Sequence, residues 1–229
     1  MVTRPCQVHL IKTVDHFNSN AFICDFVICF SEYERATECM ASQPNCTSPA
    51  VVDIILSSID DICVNKMSML ADHEDCLAEH LDEAFGGCDE MCGIVATAHE
   101  VTSLSAMKMA AEDRKNIRAF LSQVGPLCTS IGCWVACAAR SLDQNCAPVG
   151  QEIAKSLLRP FTILTQALAN EHEVVSSAFK EMLPRKCLFL VNERDLTAVA
   201  EGVQDDKWDP LMQSRSGSEP TSNFDRERK

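Results

Sequence analysis

Apolar residues recur along this chain at the three- and four-residue spacing that marks one face of an α-helix. Residues 1–25 show no clear period. Cys29 to Met40 reads as a short helix with Tyr33, Ala36 and Met40 on one side, and residues 41–45, Ala-Ser-Gln-Pro-Asn, read as a turn. From Pro49 to Val64 the period is strong: Val52, Ile55, Ile59 and Ile62 form a stripe that Val51 and Ile54 widen. A further helix is predicted over Met67–Phe85, with Met67, Leu70, Leu77, Leu81 and Phe85 inward and Asp72, Glu74, Glu79 and Asp82 outward. Gly86-Gly87 is expected to stop it.

The next helical stretch spans about Asp89 to Val124, with Gly125-Pro126 as its expected end. Leu127 to Leu142 follows and carries Trp134. Pro148 to Leu183 has a long apolar period through Ile153, Leu157, Leu164, Leu168, Val175, Phe179 and Met182. Pro160 lacks the amide donor that a helix interior needs, so this element should kink or split there. After about Asp205 the chain turns polar, too poor in apolar residues to offset the entropy of ordering. The expected architecture is all-α, an array of about five to six helices with short connections. Residues 1–25 form an ill-defined start, 26–190 a cysteine-rich helical domain, and 191–229 a polar tail expected to be disordered.

Composition agrees with helix. Ala, Leu, Glu and Met are plentiful, whereas 8 Gly, 1 Tyr and 2 Trp do not suit a β-sandwich. With 46% hydrophobic residues the chain can bury a sizeable core. A net charge of −13 opposes binding to nucleic acid, anionic membranes or free glycosaminoglycan. No segment has the length of a membrane span: Ala21–Phe30 is short and interrupted by Asp25. The N-terminus is not a clean signal peptide, because Lys12 and Asp15 close the brief apolar run from Val8 to Ile11.

The cysteines outweigh that last point. There are 14, an even number that suits a disulfide framework and an oxidising compartment. Cys6 and Cys24 precede the bridge candidates Cys29, Cys39, Cys46, Cys63, Cys76, Cys88, Cys92, Cys128, Cys133, Cys137, Cys146 and Cys187. Cys88 and Cys92 lie one helical turn apart, as do Cys133 and Cys137, so the members of each pair run side by side and should reach to a neighbouring helix. Pairing these two motifs with each other would staple a helical hairpin, as in chaperones of the mitochondrial intermembrane space. With a turn at Gly125-Pro126, however, Cys92 lies about thirty residues before it and Cys133 just after, a mismatch of about 45 Å along an unbroken helix. The arrangement is therefore expected to fail unless the intervening helix folds back. No Cys-x-x-Cys knuckle occurs, and His73, His80, His99 and His172 are poorly spaced for metal, so no metal or cofactor is expected.

Catalytic signatures are also missing from the sequence. His99-Glu100 lacks the second histidine of a zinc protease, and no Gly-x-Ser-x-Gly elbow or phosphate loop occurs. Asp60-Asp61, Asp205-Asp206 and the Glu171-His172-Glu173 run read as solvated faces. The chain is thus expected not to be an enzyme. Asn45-Cys46-Thr47 is a sequon for N-glycosylation at Asn45, and Ser216-Gly217 near Glu219 is a candidate glycosaminoglycan attachment site.

The order of these residues resembles the chondroitin proteoglycan 4 domain of nematodes. The resemblance is carried by Cys29, Tyr33, Ala36 and Cys39, then Cys46, then the Val51–Ile62 helix ending at Cys63. It continues through Cys76-Leu77, Cys88, Cys92, Cys128, Cys133 and Cys137 to Leu142, Asn145, Cys146 and Pro160-Phe161. It covers about residues 26–165. The apolar Phe22–Phe30 segment with Cys24 departs from the pattern. The resemblance implies a secreted, non-enzymatic extracellular matrix or interaction protein with an unidentified extracellular protein or matrix partner. Chondroitin attachment does not follow from the domain itself, and Ser216 is the one serine here placed to carry it. A lipid-binding or lipid-transfer protein, with Met, Leu and Ile lining a cavity between helices, is the alternative.

Overall fold

The computed structural model describes residues 49–103 and 117–208; the expected helix at Cys29–Met40, the turn after it, and residues 1–25 and 209–229 lie outside them. The element order is α1 (Pro49–Asp60), a π turn (Asp61–Asn65), α2 (Met67–Asp72), α3 (Glu74–Cys92), α4 (Ile94–Ser103), α5 (Ile117–Cys146), α6 (Val149–Leu157), α7 (Arg159–Asn170), α8 (Glu173–Met182), a 3-10 turn (Arg185–Val191) and α9 (Glu193–Ala200). The described residues are all-α. Among the described residues the expected five or six helices become nine, because the longer segments break at further points besides Pro160.

The 30-residue α5 is the axis of the fold, and α3, α4, α6, α9 and the 3-10 turn all pack against it. On one side Leu142 meets Val149, Leu77, Leu81, Leu70 and Ile62, with Leu142 and Val149 fully buried. Each such side chain contributes about 1.5–3 kcal/mol by leaving water. On the other side Val135, Ala136 and Ala139 meet Phe189, Leu190, Leu196, Val199 and Trp208.

Two expected helix ends are not ends. Helix α3 runs straight through Gly86-Gly87 to Cys92. Both glycines are exposed and helical, and their intrinsic cost of about 1 kcal/mol each is outweighed by the packed face and by covalent links to α5. The true stop is Gly93, whose φ of 63° is left-handed and whose amide bonds to the Asp89 carbonyl at 2.7 Å. Likewise α5 continues through Gly125-Pro126. The Thr129 hydroxyl donates to the Gly125 carbonyl at 3.4 Å, and the adjoining turn is held to the 3-10 segment by Cys128–Cys187. Tertiary contacts thus override the local penalty of proline.

The split at Pro160 occurs as expected, with Leu158 between α6 and α7 and the proline in the first turn of α7, where a missing amide hydrogen matters least. A second break at Glu171 separates α7 from α8. The tail boundary at residue 191 requires correction. Residues 193–200 form α9, and Trp208 is buried at 1% exposure against Phe189, with its indole N–H donating to the Val203 carbonyl at 3.1 Å. Gly132 makes room for this: a Cβ there would lie 2.5 Å from Trp208 Cβ and 2.7 Å from Phe189 Cζ.

Candidate functional site

Among the described residues, eight of the predicted bridge cysteines form four disulfides: Cys76–Cys146, Cys88–Cys137, Cys92–Cys133 and Cys128–Cys187. The first three join α3 to α5 in antiparallel register, since each step forward on α3 meets a step back on α5. The paired Cys-x-x-x-Cys motifs therefore bond to each other, the arrangement that the 45 Å mismatch counted against. That mismatch assumed a turn at Gly125-Pro126. Because α5 starts at Ile117 and runs through that point, the reversal of direction lies further back, and Cys92 and Cys133 come level. Ala138, Phe85 and Trp134 seal the two rungs, and the Trp134 indole N–H donates to the Phe85 carbonyl at 3.2 Å. Cys63 is buried among Ile62, Leu70 and Leu77. Cys29, Cys39, Cys46, Asn45 and Ser216 lie outside the described residues.

A second constellation forms where the π turn meets α6 and α7. The wide turn closes with the Lys66 amide on the Asp61 carbonyl, and it aims the Asp61 side chain inward. Asp61 accepts hydrogen bonds from Ser156 Oγ at 2.6 Å, Asn65 Nδ2 at 2.8 Å and Arg159 Nη1 at 2.6 Å. Burial alone would raise its pKa, but the hydrogen bonds from Ser156 and Asn65 and the charges of Arg159 and Lys66 together hold the carboxyl below its ordinary value. Beside it, hydrogen bonds from Lys155 and then Lys66 lower the pKa of Glu152. Asp61 is thus a buried anchor, not the solvated face that its run with Asp60 suggested. No sequence signal marks its partners, because Ser156 and Arg159 are 95 and 98 positions away.

Above this anchor a cleft of about 420 Å³ lies between α7 and α9. Leu158, Leu196 and Ala200 form its apolar part, Thr162, Thr165, Gln166 and Thr197 its polar walls, and Asp61, Lys66, Lys155, Arg159 and Glu193 its charged margin. The apolar stripes predicted along α3 and α6 are packed together in the core. Ser156 is fully buried, and its hydroxyl bonds both to Asp61 and to the Glu152 carbonyl, so its geometry is that of a strut between segments. His172 is exposed at the start of α8. Among the described residues no helix is long and apolar enough to cross a membrane.

The family model of chondroitin proteoglycan 4 matches residues 3–198, from near the N-terminus into α9. This is wider than the cysteine pattern alone suggested, and it takes in the Phe22–Phe30 segment that departed from that pattern. No curated protein and no solved structure matches the chain. A match over most of the sequence, together with an all-α fold joined by four disulfides among the described residues, places this chain in the chondroitin proteoglycan 4 family.

Proposed function

We propose that this chain is a secreted, non-enzymatic protein of the extracellular matrix, or one that acts in extracellular interactions, in which a disulfide-locked helical scaffold presents its outer faces to another protein. The observation that carries this reading is the run of three bridges between α3 and α5. Cysteines so placed hold their bonds in oxidising surroundings and lose them in a reducing cytosol. Membership of a family named for a proteoglycan supports the same location. The non-enzymatic reading is supported by how these groups are used: the Asp61 carboxylate is taken up by hydrogen bonds from Ser156, Asn65 and Arg159, and Ser156 is fully buried.

The test is fractionation of the native protein followed by intact mass after alkylation without reduction. The expected result is recovery outside the cell with Cys76, Cys88, Cys92, Cys128, Cys133, Cys137, Cys146 and Cys187 unlabelled. Recovery from the cytosol with these thiols alkylated overturns the proposal.

A further inference from the structure

The cleft of about 420 Å³ between α7 and α9 has the size of a small-ligand site, and its two ends differ in charge. The direction of the helices sets those ends. Helix α6 turns back along α5 directly after Cys146: a Cβ on Gly150 would lie 2.2 Å from the Ala139 carbonyl oxygen. Helix α9 runs the same way as α5, because Phe189, just before it, lies against Gly132, and Gly202, just after it, lies against Ala136 and Arg140. Helix α9 is therefore antiparallel to α6, and its last residue, Ala200, stands level with α6. Glu193, the first residue of α9, lies about 10 Å away at the far end.

At the α6 end Lys66 and Lys155 share the single carboxylate of Glu152, which leaves one positive charge over, while Arg159 is matched by Asp61. At the far end Glu193 is exposed, and among the described residues its carboxylate has no hydrogen bond or ion pair. Of the nearby charges, Asp60, Arg194 and Glu201 do not line the cleft. Between the ends Leu158, Leu196 and Ala200 give an apolar floor. The hydroxyls of Thr162, Thr165 and Thr197 each donate to a carbonyl one turn back, at 3.3, 2.8 and 2.9 Å. They present only lone pairs to the cleft and call for donors from a ligand. A fatty acid would leave Glu193 and these oxygens without donors, and a polyamine would meet the surplus lysine charge.

We propose that this cleft binds a free peptide of about three residues, with its ammonium on Glu193, its carboxylate on Lys66 and Lys155, and an aliphatic side chain on Leu158, Leu196 and Ala200. Its amide N–H groups meet the threonine oxygens. An extended chain of three residues spans about 10 Å, the separation of the two charged ends. The site is separate from the outer faces of the scaffold, and its test does not depend on where the protein is found.

The test is an NMR titration of the full-length, disulfide-intact chain with the peptides Ala-Leu-Ala, Ala-Val-Ala and Ala-Met-Ala. Saturable shifts are expected at the amides of Thr162, Leu196 and Thr197. The N-acetylated and C-amidated forms of the same peptides are expected to bind about tenfold more weakly, since each has lost one charged contact. Glu193→Gln, at an exposed position, is expected to weaken the free peptide about tenfold and to leave the acetylated form unaffected. Lys155→Met is expected to weaken the free peptide and leave the amidated form unaffected. Should Lys155→Met alter the circular dichroism, the comparison of free and blocked peptides on the native chain decides. No saturable shift with any of the three peptides at about 10 mM overturns the proposal, as do shifts confined to other residues or equal binding of the blocked forms. Decanoate or spermidine that displaces the peptide and binds more tightly overturns it in favour of a lipid carboxylate or a polycation.

Discussion

Ser156 Oγ donates to the Asp61 carboxylate at 2.6 Å across 95 positions of sequence, and this bond ties the π turn to α6. Arg159, at the start of α7, binds the other carboxylate oxygen at 2.6 Å. One buried acid therefore fixes how three segments meet below the cleft. Three donors satisfy it, so the burial is compensated and the junction is specific.

This junction makes stability fall in acid. The folded-state pKa of Asp61 lies below its unfolded value, so its contribution is fully present above an unfolded pKa of about 3.9 and is lost as pH falls through the folded value. Glu152 acts in the same direction. Urea denaturation at neutral pH and at steps below pH 4 should show a falling midpoint, and Asp61→Asn should flatten part of that slope. Ser156→Ala should cost about 1–3 kcal/mol at neutral pH, because it removes one donor from a buried carboxylate. An unchanged midpoint in Ser156→Ala would show that the bond contributes nothing.

The two rungs at Cys88–Cys137 and Cys92–Cys133 should each be worth about 2–4 kcal/mol, mainly by restricting the unfolded chain. Replacing Cys92 and Cys133 together with alanine should lower the melting temperature, and a thiol reductant should lower that of the native protein further. A metal chelator should leave it unchanged. With Trp208 replaced by Phe, Trp134, packed on Phe85 beside Cys133, offers a fluorescence signal specific to this region.

Gly86 and Gly87 provide a direct check on helix α3. Both are helical, exposed, and have nothing within 4 Å of where a Cβ would stand. Gly86→Ala should therefore stabilise the protein by about 0.5–1 kcal/mol. If the helix ended there in a left-handed glycine, the same change would destabilise it, so the sign of the shift in urea midpoint decides.

At Gly132 the opposite result is expected. A methyl group would press on Trp208 and Phe189, and Gly132→Ala should cost about 1–3 kcal/mol through overpacking. Trp208→Ala should cost about 3–5 kcal/mol, the loss typical of emptying a large aromatic site. Thermal unfolding of both variants checks whether residues 201–208 belong to the core. A Trp208→Ala protein as stable as the native one would return them to the tail.

Much of this protein was legible in its sequence. The 3.6-residue apolar period determined the all-α class, and Leu70, Leu77, Leu81 and Ile153 were marked for the core because solvent leaves the same face whatever the partner. Pro160 marked its break because a missing amide acts locally. The cysteine count and spacing indicated cross-linking between helices. Only tertiary structure decided which cysteines pair, because bridge formation depends on where two helices lie level, and that register was set by α5 continuing through Gly125-Pro126. It likewise decided that Gly86-Gly87 stays helical, that Trp208 is core, and that Asp61 finds Ser156 and Arg159. Periodicity reports which face of a segment leaves water; it carries no information about which distant segment arrives to cover it.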